Sequence, residues 1–188
     1  MFAQAAQFLL DILVQPYAGL LLLRFHLQWL RAPLRNPLGA FLMAVSDFVV
    51  LPARRVVASM RGLDTATLLL AGLVEMLYLS ATLAVQGYPF ANFPVPGLFA
   101  LTAVGLLKLS LHLLIGALLL EAILSWVNPH TPLAPVLATV NRPFLAPLRR
   151  RLPTPGNMDF SVLVALIVCN LMLIVPVAWL ESLAMSLL

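Results

Sequence analysis

The chain has 188 residues, of which 62% are hydrophobic and only 10% charged, and its formal net charge is +4. A soluble domain holds about 25% charged residues, so with a mean hydropathy of +1.03 the composition excludes an ordinary soluble fold and points to an all-α integral membrane protein. A basic balance also raises nucleic-acid binding, but the arginines flank apolar runs without an aromatic platform or a recognised module, and the positive-inside rule accounts for them without a nucleic acid.

The leading residues Met1 to Gln7 lack the positive front of a cleavable signal peptide. Phe8 to Leu30 is long enough to cross a hydrocarbon core of about 30 Å at about 1.5 Å per residue, with Asp11 near one membrane face and Arg24, His26 and Trp29 near the other. Arg31 to Gly62 holds five arginines and three prolines and is expected not to span. Within it, Leu38 to Leu51 reads as a short amphipathic helix, interfacial or re-entrant, with Leu38, Phe41, Leu42, Val45 and Val49 as its apolar stripe. Asn36 and Pro37 supply the N-cap and a first-turn proline. Pro52 is expected to end this helix, and Asp64 to cap a second span from Thr65 to Val85 that is interrupted only by Glu75.

Gln86 to Gly97 is turn-rich, with Tyr88, Phe90 and Phe93 suited to the headgroup level. Gly97 to Trp126 is a third span, longer than a crossing needs, from which Lys108 is expected to snorkel outward. Thr131-Pro132 then repeats the Asn36-Pro37 start, Leu133, Val136, Leu137, Val140 and Phe144 repeat the stripe, and Pro147 repeats the stop. Asp159 opens a fourth span, Phe160 to Leu180, which carries no charge.

The second half therefore restates the first. Displaced by 95 positions, Pro37, Leu42, Pro52, Arg54, Arg55 and Asp64 fall on Pro132, Leu137, Pro147, Arg149, Arg150 and Asp159, and Trp29 falls on Trp126 at a displacement of 97. This divides the chain into a first repeat over residues 1–86, a linker over 87–97 and a second repeat over 98–188: four transmembrane helices as two tandem helical hairpins, each with an amphipathic helix in its loop. The two hinge loops hold nine of the eleven basic residues. Both hinges are accordingly expected to face the cytoplasm and both termini the periplasm of a bacterial inner membrane, with the repeats related by an axis along the membrane normal.

Candidate functional residues fall into two groups. Arg54, Arg55, Arg61, Arg149, Arg150 and Arg151 are placed to meet anionic lipid headgroups or an acidic protein partner. Arg24, Glu75, Glu121 and Asn170 are polar positions inside apolar runs, where ionisable groups are costly and mark function or pairing. Arg24 and Glu121 are equivalent in the two repeats with opposite sign, and they suggest an ion pair between the halves. Glu75 is matched by Asn170, and the pair suggests an ion or osmolyte pathway as the alternative to a scaffold. Lone Cys169 allows no intramolecular disulfide, and His26, His112 and His130 lack a second ligand at helical spacing, so no metal or cofactor is expected. The absence of a catalytic constellation argues against an enzyme.

Together the Arg-x-x-x-x-Trp of Arg24 to Trp29, the Asn-Pro-x-x-x-Phe-Leu of Asn36 to Leu42, and the duplicated Pro-x-Arg-Arg and Asp resemble the YggT family of small bacterial membrane proteins, which has chloroplast relatives. The resemblance covers Arg24 to Val85 and Glu121 to Leu180, and Pro-x-Arg-Arg is its most specific part. The family often has Asp-Pro ahead of that motif, whereas this chain has Asp47-Phe48 in one copy and Arg142-Pro143 in the other. The resemblance implies a multi-pass protein without an agreed biochemical activity. It fits a non-enzymatic scaffold or accessory subunit, possible also as a homo-oligomer, bound to a larger membrane complex.

Overall fold

The computed structural model describes residues 2–59, 62–88, 95–128, 130–151 and 159–188, and its regular elements are helices. In chain order they are α1 Phe2–Trp29, α2 Pro37–Val56, α3 Thr65–Val85, α4 Val95–Val127, α5 Ala134–Arg149 and α6 Phe160–Met185. All but α5 are long and apolar enough to cross a membrane. That is one more than the four expected, and the addition is α2, which does not stop at Pro52 but runs through it to Val56. A proline inside a helix removes one N–H and strands the carbonyl four residues back. Here Pro52 and Phe48 are both exposed, so the break lies on the open face of α2. Pro143 and Pro147 are likewise carried inside α5, on its exposed side.

Helix ends follow local chemistry. Asn36 caps α2 by accepting from Gly39 N at 2.9 Å, and Asp64 and Asp159 cap α3 and α6 by accepting from Thr67 N and Ser161 N. The second copy of the α2 start departs from expectation. α5 begins at Ala134, and Thr131 only closes a turn, its Oγ1 accepting from Leu133 N at 3.3 Å. α1 and α3 end alike, with the residue two past the helix in left-handed backbone and the following N–H reaching back to close the last turn. At α3 that residue is Gly87, with Tyr88 N on Leu83 O at 3.0 Å; at α1 it is Arg31 (φ 53°), with Ala32 N on Leu27 O at 2.8 Å. α1 and α6 each contain a wide π turn, Leu10–Val14 just before Pro16 and Leu173–Val177 around Pro176. The longer i→i+5 bonding absorbs the missing proline donor without ending the helix.

α1 packs on α3, both pack on α4, and α6 packs on α4 and α5. Each short helix lies against the two long helices of its own repeat: α2 on α1 and α3, α5 on α4 and α6. Leu21, Leu22, Phe25, Val50 and Ala71 form the first core, and Leu114, Leu118, Leu145, Ala165 and Cys169 the second. A third cluster joins the repeats, with Leu27 of α1, Ala32 just past its end, Leu42 of α2 and Val136 of α5. The two basic corners therefore sit at the same end of the molecule.

The buried stripes of α2 and α5 are turned relative to the apolar ones read from sequence. Leu42, Ser46 and Val50 are buried in α2, and Leu137, Asn141 and Leu145 at the same register in α5, while Phe41 and Phe144 are exposed. Polar Ser46 and Asn141 sit at the centre of each seam, where an apolar count does not look for them.

Candidate functional site

Ser46 and Asn141 are central because each faces a charge on the leading long helix of its repeat. Arg24, 4% exposed, donates from Nη1 to Ser46 Oγ at 2.5 Å and to Asp47 Oδ1 at 2.7 Å, and Ser46 passes its own hydroxyl proton to Leu42 O. In the second repeat Asn141 Nδ2 donates to Glu121 Oε2 at 2.5 Å and to Ala117 O at 3.1 Å. The expected Arg24–Glu121 ion pair does not form. Each residue is paired inside its own hairpin because the hinge helix packs directly against it, although Arg24 Nε stays buried without an acceptor among the described residues. A charge leaving water needs its partner at hydrogen-bond range, and the hinge helix supplies one in both copies.

The basic corners are built to one plan. Arg54 Nη2 meets Asp64 Oδ2 at 2.5 Å, and Arg149 Nε meets Asp159 Oδ2 at 2.7 Å. The same aspartates cap α3 and α6, so each carboxylate ties the end of a hinge helix to the start of the next long one. At the first corner Gln28 bridges the pair, accepting from Arg54 at 2.9 Å and donating to Asp64 at 2.6 Å with its amide oriented to satisfy both. At the second, Arg149 Nη2 also lies 3.5 Å from Glu121 Oε1. Burial pushes the Asp64 carboxyl up, but hydrogen bonds from Arg54 and Thr67 and the Arg54 charge outweigh it and hold the group below its ordinary range. Burial and the Arg149 and Ser161 hydrogen bonds oppose each other in the same way at Asp159, which also ends low.

Of the predicted basic residues, Arg54 and Arg149 are thus committed to ion pairs. Arg55, Arg150 and Arg151 are exposed and meet no carboxylate among the described residues. Arg61 lies outside the described residues.

Glu75 and Asn170, matched in sequence, are not brought together. Glu75 is 2% exposed and lies on the face of α3 that meets α4, its carboxylate laid against Gly105. Asn170 is exposed on α6 and donates to Leu166 O of its own helix at 2.9 Å. Lys108 does not reach outward alone: its Nζ is held by both carboxylate oxygens of Glu181 at 2.9 and 3.0 Å. The sequence reading missed four polar residues that matter here. Ser46, Asp47 and Asn141 were hidden inside segments read for apolar residues, and Glu181 lay past the expected end of the fourth span.

Long apolar helices arranged as a duplicated helix–hinge–helix unit define a small integral membrane protein with an internal repeat. The chain belongs to the CCB3/YggT family, whose model matches it twice, over residues 3–84 and 100–180. The uncharacterized protein PA0392 of Pseudomonas aeruginosa is 33% identical over 169 residues, covering 89% of this chain and 85% of that protein. An uncharacterized protein in the proC 3' region of Vibrio alginolyticus is 34% identical, covering 85% of this chain and 86% of its own. The uncharacterized protein YggT of Escherichia coli K12 is 33% identical, covering 84% and 81%. No solved structure matches significantly.

Proposed function

We propose that the protein is a non-enzymatic scaffold or accessory subunit of a membrane complex, spanning the bacterial inner membrane four times and docking a partner at its cytoplasmic face. In this reading α1, α3, α4 and α6 are the spans, and α2 and α5 lie along or dip into the interface. The duplication favours that choice: α5, the counterpart of α2, has 16 residues and three prolines, short of the roughly 20 residues a crossing needs. With both basic corners at one end, the positive-inside rule puts that end in the cytoplasm and the termini in the periplasm.

The observation that carries the reading is the division of labour among the arginines. One at each corner is consumed by the cap aspartate, and its neighbours Arg55, Arg150 and Arg151 stand free of carboxylates among the described residues. Held on a fixed corner, they form a basic surface for anionic headgroups and for an acidic face of a partner protein. The test is charge reversal of Arg55, Arg150 and Arg151 to Glu in full-length protein isolated from native membranes in mild detergent. The triple variant should stay folded and lose a partner that the wild type retains in fixed ratio. A wild type that purifies with nothing attached, or a variant that keeps the same companions, overturns the reading.

A further inference from the structure

A cleft of about 290 Å3 opens between α1, α3, α4 and α6, at the end opposite the basic corners. Its polar wall is made by Gln15 of α1, Glu75, Tyr78 and Thr82 of α3, Lys108 of α4 and Glu181 of α6. Each group's commitments can be followed. Lys108, the cationic side chain of the wall, is taken by Glu181. Tyr78 donates its proton to Asp11 at 2.8 Å, so its oxygen can only accept from anything else. Asp11 is also met by Gln7 Nε2 at 2.8 Å, and Gln7 Nε2 lies 3.3 Å from Thr82 Oγ1. His112, the remaining titratable side chain of the wall, has Nδ1 on the Lys108 carbonyl at 2.8 Å.

Glu75 is left over. Its Oε1 rests where Gly105 has no side chain: a Cβ there would stand 2.4 Å from it. Its Oε2 is buried with no hydrogen-bond partner among the described residues. A carboxylate oxygen without a donor in a low-dielectric site is expensive, and although Gln15, Gln86 and Thr82 of the wall carry donors, none of them reaches Oε2. On the corner side of Glu75 the first core closes the way, with Leu21, Leu22, Phe25 and Ala71 packed against Leu106 and Leu109. The cleft is therefore a dead end, shaped to hold a ligand rather than to pass one through a single copy.

We propose that this cleft binds a monovalent cation, with Glu75 as its counter-charge and the oxygens of Gln15 and of Tyr78, one turn further along α3, as neutral ligands. One uncompensated carboxylate matches a single positive charge, and it is too little for calcium or magnesium, which draw on several hard oxygen ligands in a defined shell. The ligand chemistry, one compact positive charge, is shared by an alkali ion and a small ammonium group.

The test uses full-length protein in neutral detergent, with thermal unfolding followed in NaCl, KCl or methylammonium chloride at constant ionic strength. N-methyl-D-glucamine chloride, with its extended polyol chain, is the reference. A bound cation stabilises the folded state by mass action, so Tm should rise saturably in a small cation relative to the reference. A rise in sodium or potassium alone identifies an inorganic ion, and a rise in methylammonium alone an ammonium group; a rise in both shows a site that reads charge and size only. Glu75→Gln should abolish the rise, Tyr78→Phe should weaken the apparent affinity about tenfold, and Arg150→Ala should leave it unchanged. If Glu75→Gln does not fold, the Tyr78→Phe shift decides. Equal Tm in all four salts, or a rise that survives Glu75→Gln or is untouched by Tyr78→Phe, overturns the proposal.

Discussion

In the first repeat the charge on the leading helix is buried Arg24, met from the hinge helix by Ser46 and Asp47; in the second it is half-buried Glu121, met by Asn141 and Arg149. The charge on the leading helix occupies the same place with its sign exchanged, but the partner position does not mirror it: Asp47 of the first copy falls on Arg142 of the second, which is exposed and makes no ion pair with Glu121 among the described residues. What the apolar surroundings demand is that the charge be met from the hinge helix, and either sign can meet that demand. The corners differ less. Arg54–Asp64 and Arg149–Asp159 keep sign, residue type and spacing, because the aspartate must also cap a helix, and only a side-chain acceptor can do that.

The sharpest way to break this comparison is to remove one charge. Arg24→Ala leaves Asp47 and Ser46 facing an apolar seam, and unpairing a buried charge costs about 3–5 kcal/mol. Chemical unfolding of the purified protein in detergent should show most of that loss, trimmed by the partial exposure of Asp47. Copying the second repeat into the first, with Arg24→Glu, Ser46→Asn and Asp47→Arg together, should recover much of what Arg24→Glu alone loses. Joining Arg24→Glu to Glu121→Arg should recover nothing, because the two side chains have separate partners.

Gly39 gives the next largest effect. Its counterpart in the second repeat is Ala134, yet a Cβ at Gly39 would stand 2.0 Å from the Leu34 carbonyl oxygen. Gly39→Ala should therefore cost about 1–3 kcal/mol by overpacking, although alanine is native at the equivalent place. A neutral Gly39→Ala in the same unfolding assay would mean that the two hinge helices start alike after all.

Duplication, caps and apolar spans were legible in the sequence because each rests on local, periodic chemistry. Asn36, Asp64 and Asp159 cap where residue type and position said they would. Helix stops were less legible: Pro52 and Pro147 read as ends, but an exposed face tolerates the lost hydrogen bond and neither helix stops. The polar seam was hidden for a different reason. Ser46 and Asn141 are legible only once Arg24 and Glu121 are known to lie beside them, and that proximity is a tertiary fact. Glu75 was legible as an anomaly, but the sequence match with Asn170 pointed across the repeat, whereas packing pointed to Gly105 and Lys108.

The corners predict a smaller, pH-dependent effect. Asp64 and Asp159 sit below their ordinary value of 3.8 when folded, so their contribution is present above that pH and is lost as pH falls through the lower folded values. Asp64→Asn and Asp159→Asn keep a capping side chain and should flatten the acid limb of the stability profile by up to about 1 kcal/mol each, as befits partly exposed pairs. The Asp64 change should be the greater, since Asp64 is the more enclosed of the two.

The smallest expected change is a gain. Arg31 holds the left-handed position that glycine fills at the end of α3, so Arg31→Gly should raise the stability of the folded protein by about 1 kcal/mol, seen as a small increase in Tm. No increase would mean that the Arg31 side chain compensates for its backbone.

The fit of Glu75 against Gly105 bears on how the halves could ever have been separate. Gly105 belongs to the second repeat, and at the displacement that aligns the tryptophans its counterpart in the first is Phe8. A pair of identical first repeats would thus press a phenylalanine where the carboxylate now rests, and a pair of identical second repeats would bring no glutamate to the glycine. The two copies have become complementary parts: severed in the linker and made as two chains, they should find each other as unlike partners and not as twins.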